Sequence, residues 1–216
     1  MSSKKSLMIL CLGDSLTAGY QSSTGYGYIS YHPYTEILGN LLSKKRHKLC
    51  IDFSVLNKGI NGDTTSGMLE RFKGDVEAEK PDIVIIWGGI NDLYQGCSPE
   101  DTMLNLKELF RRCLDIAAEP IACSVTSTLM LQSLNEVIRH LNNLIETHCV
   151  VKGFMFIDLY EATSDENGKL TSSYSDDGIH LSKAGYQRVA ETIFYKLARE
   201  HKPPKKILDL ENVLQS

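Results

Sequence analysis

Short apolar runs alternate with longer amphipathic segments along most of this 216-residue chain. The runs are continuously apolar, which is typical of parallel strands buried on both faces of a sheet. Parallel strands joined through helices need right-handed crossovers, and these crossovers put helices on both faces of the sheet. The pattern therefore predicts an α/β fold with a parallel sheet of five strands, at residues 7–12, 51–56, 82–87, 121–125 and 154–158.

Helices are predicted between and after these strands. One has a clear start, because Ser98 can cap it and Pro99 fits its first position. Ser182 is the expected cap of the last one. We predict a single domain over residues 1–200, followed by a tail at 201–216. Apolar residues recur at helical spacing over 34–42, 103–114, 134–145 and 186–197.

Composition excludes several classes of function. The net charge of −4 provides no basic field for nucleic acid. No apolar run approaches the ~20 residues of a membrane span, so stable membrane insertion is not expected. The six cysteines include no CxxC pair, which favours reduced thiols over a disulfide framework or zinc ribbon. We therefore expect a cytoplasmic protein, whose oligomeric state stays open.

Polar clusters that contain glycine follow four of the predicted strands. The carboxyl ends of parallel strands meet at one edge of the sheet, where open α/β sheets bind their ligands. We therefore expect the four clusters to form one site. They lie at residues 13–16, 57–64, 88–92 and 176–180.

The residue types in these clusters suit nucleophilic acyl transfer. A serine such as Ser15 needs an adjacent base, normally a histidine that a carboxylate orients. Asp177 and His180 are three residues apart, which would put both side chains on one face of a helical turn. Asp176 is a rival to Asp177 for that orienting role.

A tetrahedral intermediate also needs hydrogen-bond donors for its oxyanion. The candidates are the backbone N–H groups of Ser15 and Gly62 and the side-chain amide of Asn91. Glycine at 62 would let a ligand approach the backbone closely. Taken singly, each of these residues has an ordinary alternative role as a cap or turn residue. Asp14 is expected to hold the nucleophile loop through side-chain-to-backbone hydrogen bonds.

The four clusters, in this order, resemble blocks of the GDSL, or SGNH, hydrolase family. This resemblance implies a flavodoxin-like three-layer α/β/α sandwich with strand order 2-1-3-4-5. It implies Ser15 as nucleophile, Gly62 and Asn91 in the oxyanion hole, and a triad completed by Asp177 and His180. The family hydrolyses esters and thioesters without a metal, so no cofactor is expected. The matching motifs are Gly13-Asp14-Ser15-Leu16, Gly62-Asp63-Thr64, Gly89-Ile90-Asn91-Asp92 and Asp177-Gly178-Ile179-His180.

Two further features are candidates for ligand contact. A tyrosine-rich segment follows the nucleophile cluster, and Tyr20, Tyr26 and Tyr28 are tentative substrate contacts on a mobile loop. The alternatives for these rings are ordinary packing or a disordered loop. His32 and Glu36 have the i, i+4 spacing of two metal ligands, but they lack a third nearby, so no metal site is predicted.

The sequence therefore predicts a serine hydrolase that cleaves a small-molecule ester or thioester through an acyl-enzyme. An acyltransferase or a carbohydrate deacetylase could use the same residues. A catalytically silent ligand-binding protein is the alternative from another class, and the complete set of five site residues argues against it.

Overall fold

The computed structural model describes residues 5–22, 29–49 and 51–199. The predicted tail at 201–216 and the candidates Tyr26 and Tyr28 lie outside these ranges. In chain order, the strands and α-helices are β1 (Lys5–Gly13), α1 (Ser15–Ala18), β2 (Tyr20–Ser22), β3 (Ile29–Tyr31), α2 (Tyr34–Leu49), β4 (Ile51–Gly59), α3 (Thr65–Asp75), β5 (Ile83–Trp87), α4 (Ile90–Tyr94), α5 (Pro99–Asp115), β6 (Glu119–Cys123), α6 (Gln132–Lys152), β7 (Met155–Ile157), α7 (Leu159–Thr163) and α8 (Lys183–Arg199).

Five parallel strands form the central sheet in the order β4-β1-β5-β6-β7. Numbered along the sheet-forming strands alone, this is the predicted order 2-1-3-4-5, so the prediction is confirmed. The strands β2 and β3 form a separate antiparallel pair. Residues near both ends of the tyrosine-rich segment therefore form short strands, whereas the sequence suggested only a loop.

Two apolar clusters cover the two faces of the sheet, because successive side chains of β1 point to opposite faces. Leu7, Ile9 and Cys11 pack with α2 and α8, whereas Leu10 and Leu12 pack with α3, α5 and α6. This arrangement is the predicted three-layer α/β/α sandwich. None of the helices in the described ranges combines the length and the apolar character needed to cross a bilayer.

The four predicted helices are confirmed as α2, α5, α6 and α8. The Ser98 hydroxyl caps α5 by accepting a hydrogen bond from the Asp101 N–H at 3.0 Å. The sequence did not indicate α3, because that helix contains two glycines and few apolar residues. Its start is fixed by Thr64, whose hydroxyl accepts a hydrogen bond from the Gly67 N–H at 3.2 Å.

The register of the sheet brings three of the four polar clusters together. Gly13, the last residue of β1, pairs with Gly59 of β4 on one side and with Trp87 of β5 on the other. A Cβ at Gly13 would overlap the Thr17 side chain, and one at Gly59 would overlap the backbone of Ala18. Glycine at both strand ends therefore lets α1 pack directly on the edge of the sheet.

Candidate active site

Ser15 lies at the start of α1, where the chain leaves the middle of the sheet. Its side chain is almost buried, with 6% of the residue exposed. The Ser15 Oγ lies 3.1 Å from Nε2 of His180, although the two residues are 165 positions apart in the sequence. The structure therefore brings together the two residues that the sequence paired as nucleophile and base.

Asp177 completes a hydrogen-bonded chain with these residues. Its Oδ2 lies 2.8 Å from Nδ1 of His180. Its Oδ1 accepts hydrogen bonds from the backbone N–H groups of Ile179 at 2.9 Å and His180 at 2.8 Å. The predicted helical turn at this point is wrong, because Gly178 has φ +87° and the carboxylate organises a non-helical turn instead.

Neighbouring segments hold this turn in place. The Leu129 N–H donates a hydrogen bond to the Gly178 carbonyl at 2.8 Å, and the Ser175 hydroxyl donates to the His180 carbonyl at 2.7 Å. The Tyr20 ring packs against the His180 ring with centroids 4.6 Å apart. The imidazole is therefore fixed both through its backbone and by an aromatic neighbour.

The electrostatics of Asp177 determine which nitrogen of His180 carries the proton. Burial opposes ionisation of the carboxyl, but hydrogen bonds from the His180 ring and two backbone N–H groups outweigh it and lower the Asp177 pKa. An ionised carboxylate only accepts hydrogen bonds. Nδ1 therefore donates to Asp177, and in the neutral imidazole Nε2 is the nitrogen left to accept a proton from the Ser15 hydroxyl.

Asp176, the rival to Asp177, points elsewhere. Its Oδ2 accepts a hydrogen bond from the Gln21 side chain of β2 at 2.8 Å. The hydrogen bond to the His180 ring comes from Asp177. The geometry therefore favours Asp177 as the orienting carboxylate.

Gly62 and Asn91 follow β4 and β5, the two strands that flank β1. Gly62 is exposed and has φ +75°. Apart from its two chain neighbours, no atom of the described residues lies within 4 Å of the place a Cβ would occupy. The Asn91 side-chain amide donates a hydrogen bond to the Asp63 carbonyl at 2.8 Å. This bond links the two loops that carry the candidate oxyanion donors and leaves the second amide hydrogen of Asn91 for another acceptor.

Two charged residues whose roles the sequence did not indicate organise these segments. The buried Asp92 carboxylate accepts hydrogen bonds from the backbone N–H and the hydroxyl of Thr65, at the first turn of α3. Arg71, from the middle of α3, reaches Asp63 and the carbonyl of Gly13. The sequence pointed to Asp92 only through its position beside Asn91. It gave no sign of Arg71, because Arg71 and its partner Gly13 are 58 residues apart.

Asp14 holds the nucleophile loop as the sequence predicts, since its Oδ1 accepts a hydrogen bond from the Leu16 N–H at 2.9 Å. Its Oδ2 is buried with no hydrogen-bond partner among the residues that the structure describes. Burial, together with the negative charges of Asp63 and Asp92, raises the pKa of Asp14 to about 7, against the opposing effect of the Leu16 hydrogen bond. The ionised form is therefore costly in the folded protein.

We expect Asp14→Asn to stabilise the protein at high pH. The folded-state pKa of Asp14 is raised above its unfolded value near 3.8, so its contribution to stability is present below that value and is lost as pH rises through about 7. Three pKa units correspond to an upper limit of about 4 kcal/mol. Urea unfolding should give a gain for the variant of about 2–4 kcal/mol near pH 8.5 and a much smaller one near pH 5. A difference that does not change with pH would contradict this assignment.

The remaining candidates are Tyr20 as a substrate contact and the pair His32 and Glu36 as metal ligands. Tyr20 is half-buried between the His180 ring and Tyr31, whose ring it meets edge-on at 5.9 Å. A role for Tyr20 in substrate contact remains a prediction. Within the described ranges, no group of three or more His, Cys, Asp or Glu side chains is arranged to hold a metal ion, and His32 and Glu36 belong to no such group.

Comparison with known proteins assigns the family. A model of the GDSL-like lipase/acylhydrolase family matches residues 11–188. The chain belongs to this family. The match begins in β1 and ends in α8, so it includes all four polar clusters.

Several known proteins are similar to this chain. Esterase TesA from Pseudomonas aeruginosa is 31% identical over 104 residues, which are 48% of this chain and 47% of that protein. An acetylxylan esterase from Geobacillus stearothermophilus is 36% identical over 96 residues, 40% of each protein. The chain thus spans about half the length of these curated relatives. The crystal structure of the lipase/acylhydrolase from Enterococcus faecalis superimposes with a TM-score of 0.71 at 25% identity, covering 92% of this chain and 99% of that one.

Proposed function

We propose that this protein is a serine hydrolase that cleaves carboxylic ester or thioester bonds through an acyl-enzyme intermediate. The observation that carries the proposal is the hydrogen-bonded chain from Ser15 through His180 to Asp177, with distances of 3.1 and 2.8 Å. Family membership and the esterase names of the relatives support it. Residues 1–200 are proposed as one catalytic domain and 201–216 as a tail.

The proposed reaction follows from the tautomer of His180. The Ser15 Oγ attacks the ester carbonyl carbon while its proton moves to Nε2 of His180. The resulting imidazolium is stabilised by Asp177 through Nδ1 and then gives the Nε2 proton to the departing alcohol or thiol. A water molecule next attacks the acyl group on Ser15, again losing its proton to Nε2. The bond between the acyl carbon and the Ser15 Oγ then breaks, Nε2 returns the proton to that oxygen, and the acid is released.

The negative charge that forms on the carbonyl oxygen is the part of the reaction that needs preorganised donors. We assign this role to the N–H groups of Ser15 and Gly62 and to the Asn91 amide. Ser15 is the first residue of α1, where a helix leaves its N–H groups without intrahelical partners. The three residues follow neighbouring strands at the same edge of the sheet: Ser15 begins α1, Gly62 lies between β4 and α3, and Asn91 is in α4.

Exposed apolar side chains beside the Asp177 turn suit an apolar part of the substrate. Leu129, Met130 and Leu131 are three consecutive exposed residues, and the Leu129 N–H contacts Gly178 directly. Tyr94 is also exposed, and its phenol has a raised pKa because of partial burial and the nearby charge of Asp177. An uninterrupted exposed apolar run is costly unless it has a use, and substrate contact supplies one.

Hydrolysis of p-nitrophenyl esters tests this function. The protein should release p-nitrophenol from the acetate ester with a burst, followed by slower steady turnover. The value of kcat/KM should increase over the butyrate and hexanoate esters, since each buried CH₂ contributes about 0.8 kcal/mol. An acyl-CoA in the same series tests thioesters, and added alcohols test acyl transfer. No turnover of any ester by the folded protein would contradict the proposal.

Replacing Asn91 with alanine separates the oxyanion donors from the triad. We expect Asn91→Ala to lower kcat by about 10²–10³ and to leave KM nearly unchanged, because the donor acts on charge that exists only in the transition state. Asn91→Asp should be worse, since a carboxylate repels the oxyanion. Steady-state kinetics with p-nitrophenyl acetate measure both. A raised KM at unchanged kcat would show that Asn91 binds the ground-state substrate instead.

The proposed setting is the cytoplasm, with a small-molecule ester as the partner. Five cysteines in the described ranges have free thiols, and four of them are buried, which supports a reducing compartment. Burial raises the pKa of the Cys11 and Cys113 thiols to about 12, so these two are poor nucleophiles.

A further inference from the structure

We propose that Arg71 is a positioning residue for the esterase reaction. This inference rests on the proposed function. Its guanidinium holds the nucleophile loop and the oxyanion loop in a fixed relation to each other. The oxyanion loop is defined here as residues 60–63, between β4 and the Thr64 cap of α3. Arg71 itself touches none of the reacting groups, so its effect on the reaction is exerted through Gly13 and Asp63.

The guanidinium joins three separate segments. Its Nη2 donates to the Gly13 carbonyl at 2.9 Å, two residues before Ser15. Its Nε and Nη2 both lie 2.7 Å from Oδ2 of Asp63, the residue after Gly62. Its Nη1 donates to Asp75 on α3 at 2.9 Å. One side chain therefore contacts a neighbour of the nucleophile and a neighbour of an oxyanion donor.

These contacts are sheltered enough to constrain both loops. The side chains of Arg71 and Asp63 are only 15% and 9% exposed. An arginine offers five donors in a planar fork, so it can hold a carbonyl and two carboxylates at once. A lysine has a single nitrogen and cannot span these acceptors with the same geometry.

Two other hydrogen bonds complete the connection. The Ile60 N–H donates to the same Gly13 carbonyl at 3.1 Å, and the Asn91 amide donates to the Asp63 carbonyl at 2.8 Å. Asp63 is thus held through its carboxylate by Arg71 and through its carbonyl by Asn91. Removing Arg71 leaves the hydrogen bonds of Asp63 with Asn91, Ile60 and Thr64 but releases its carboxylate from the end of β1.

The expected kinetic effect is on kcat. A small misplacement of a catalytic donor costs up to about 10²-fold. We expect Arg71→Met to lower kcat for p-nitrophenyl acetate by about 10- to 100-fold with little change in KM, and Arg71→Lys to recover only part of the loss. Millimolar guanidinium chloride should restore part of the activity of Arg71→Ala, because the ion can occupy the place of the missing group.

Arg112 provides a matched control. It is an arginine on α5 that also donates to a backbone carbonyl, that of Leu69 at 2.8 Å, and to a carboxylate, Glu108 at 3.0 Å. Neither contact reaches the nucleophile loop or the oxyanion loop. Arg112→Met should therefore keep the wild-type kcat. An equal loss in both variants, or a loss in Arg71→Met that matches a loss of folded protein by circular dichroism, would overturn the proposal.

Hydrogen exchange tests the positioning without relying on activity. The Ile60 amide, which shares the Gly13 carbonyl with Arg71, should exchange faster in Arg71→Met and at the wild-type rate in Arg112→Met. Unchanged exchange at Ile60 together with unchanged kcat would overturn the proposal. If the wild-type protein hydrolysed no ester, the proposed function would fail, whereas faster exchange at Ile60 would still support Arg71 as the residue that joins the two loops.

Discussion

Replacing Ser15 with alanine should abolish ester hydrolysis, with kcat for p-nitrophenyl acetate falling by about 10⁶-fold, as expected when a triad loses its nucleophile. The Ser15 Oγ is the atom that lies 3.1 Å from Nε2 of His180. A phosphonofluoridate should therefore form a covalent adduct at this serine, which mass spectrometry of the peptide containing residues 13–16 would detect.

An exposed serine on α3 supplies the control for this experiment. Ser66→Ala removes a hydroxyl that lies four residues beyond Gly62 and should leave both kcat and phosphonylation unchanged. Labelling that persists in Ser15→Ala, or that spreads over several serines of the wild-type protein, would contradict the assignment of the nucleophile.

Asp177→Asn should lower kcat by about 10⁴-fold while the protein remains folded. The carboxylate accepts the Nδ1 hydrogen bond at 2.8 Å and so keeps Nε2 free to accept the Ser15 proton. An asparagine amide can donate to Nδ1, which would put the ring proton on Nε2 and block proton transfer. Initial rates and circular dichroism of the same preparation measure the two effects separately.

The adjacent aspartate is the matched control for this change. Asp176 accepts a hydrogen bond from Gln21 and lies at the surface of the turn, so Asp176→Asn should change kcat by less than about threefold. If Asp176→Asn and Asp177→Asn lowered kcat equally, catalysis would depend on the negative charge of the turn and not on the hydrogen bond at Nδ1 of His180.

The sheet could be predicted from the sequence because its strands are short and largely apolar, and polar clusters that contain glycine follow four of them. Ser15, Asp177 and His180 could be grouped as a candidate triad because they lie in polar clusters that follow strands and because the clusters resemble those of the family. The hairpin of β2 and β3 could not, since its residues are partly exposed and show no apolar periodicity. The turn at Asp177 was predicted as helical from its spacing alone, whereas the positive φ of Gly178 and the hydrogen bonds to Oδ1 decide its shape.

The contacts that sequence reasoning missed are those between distant segments. Nothing in the local sequence of α3 indicates that Arg71 binds the end of β1, because that contact exists only after β1 and β4 have paired. The sequence also does not indicate the contact of Asp92, because its carboxylate binds the first residue of α3, 27 residues earlier in the chain. Such polar contacts follow from the tertiary arrangement and have no periodic signature.

The separation of 165 residues between Ser15 and His180 also affects when the protein becomes active during synthesis. Under the proposed mechanism, a growing chain presents Ser15, Gly62 and Asn91 early, but it lacks the base until residue 180 has left the ribosome. A fragment that stops before Asp177 would contain all five strands of the sheet but would lack both the base and the carboxylate that orients it. Esterase activity of a nascent chain would therefore report that synthesis has passed His180.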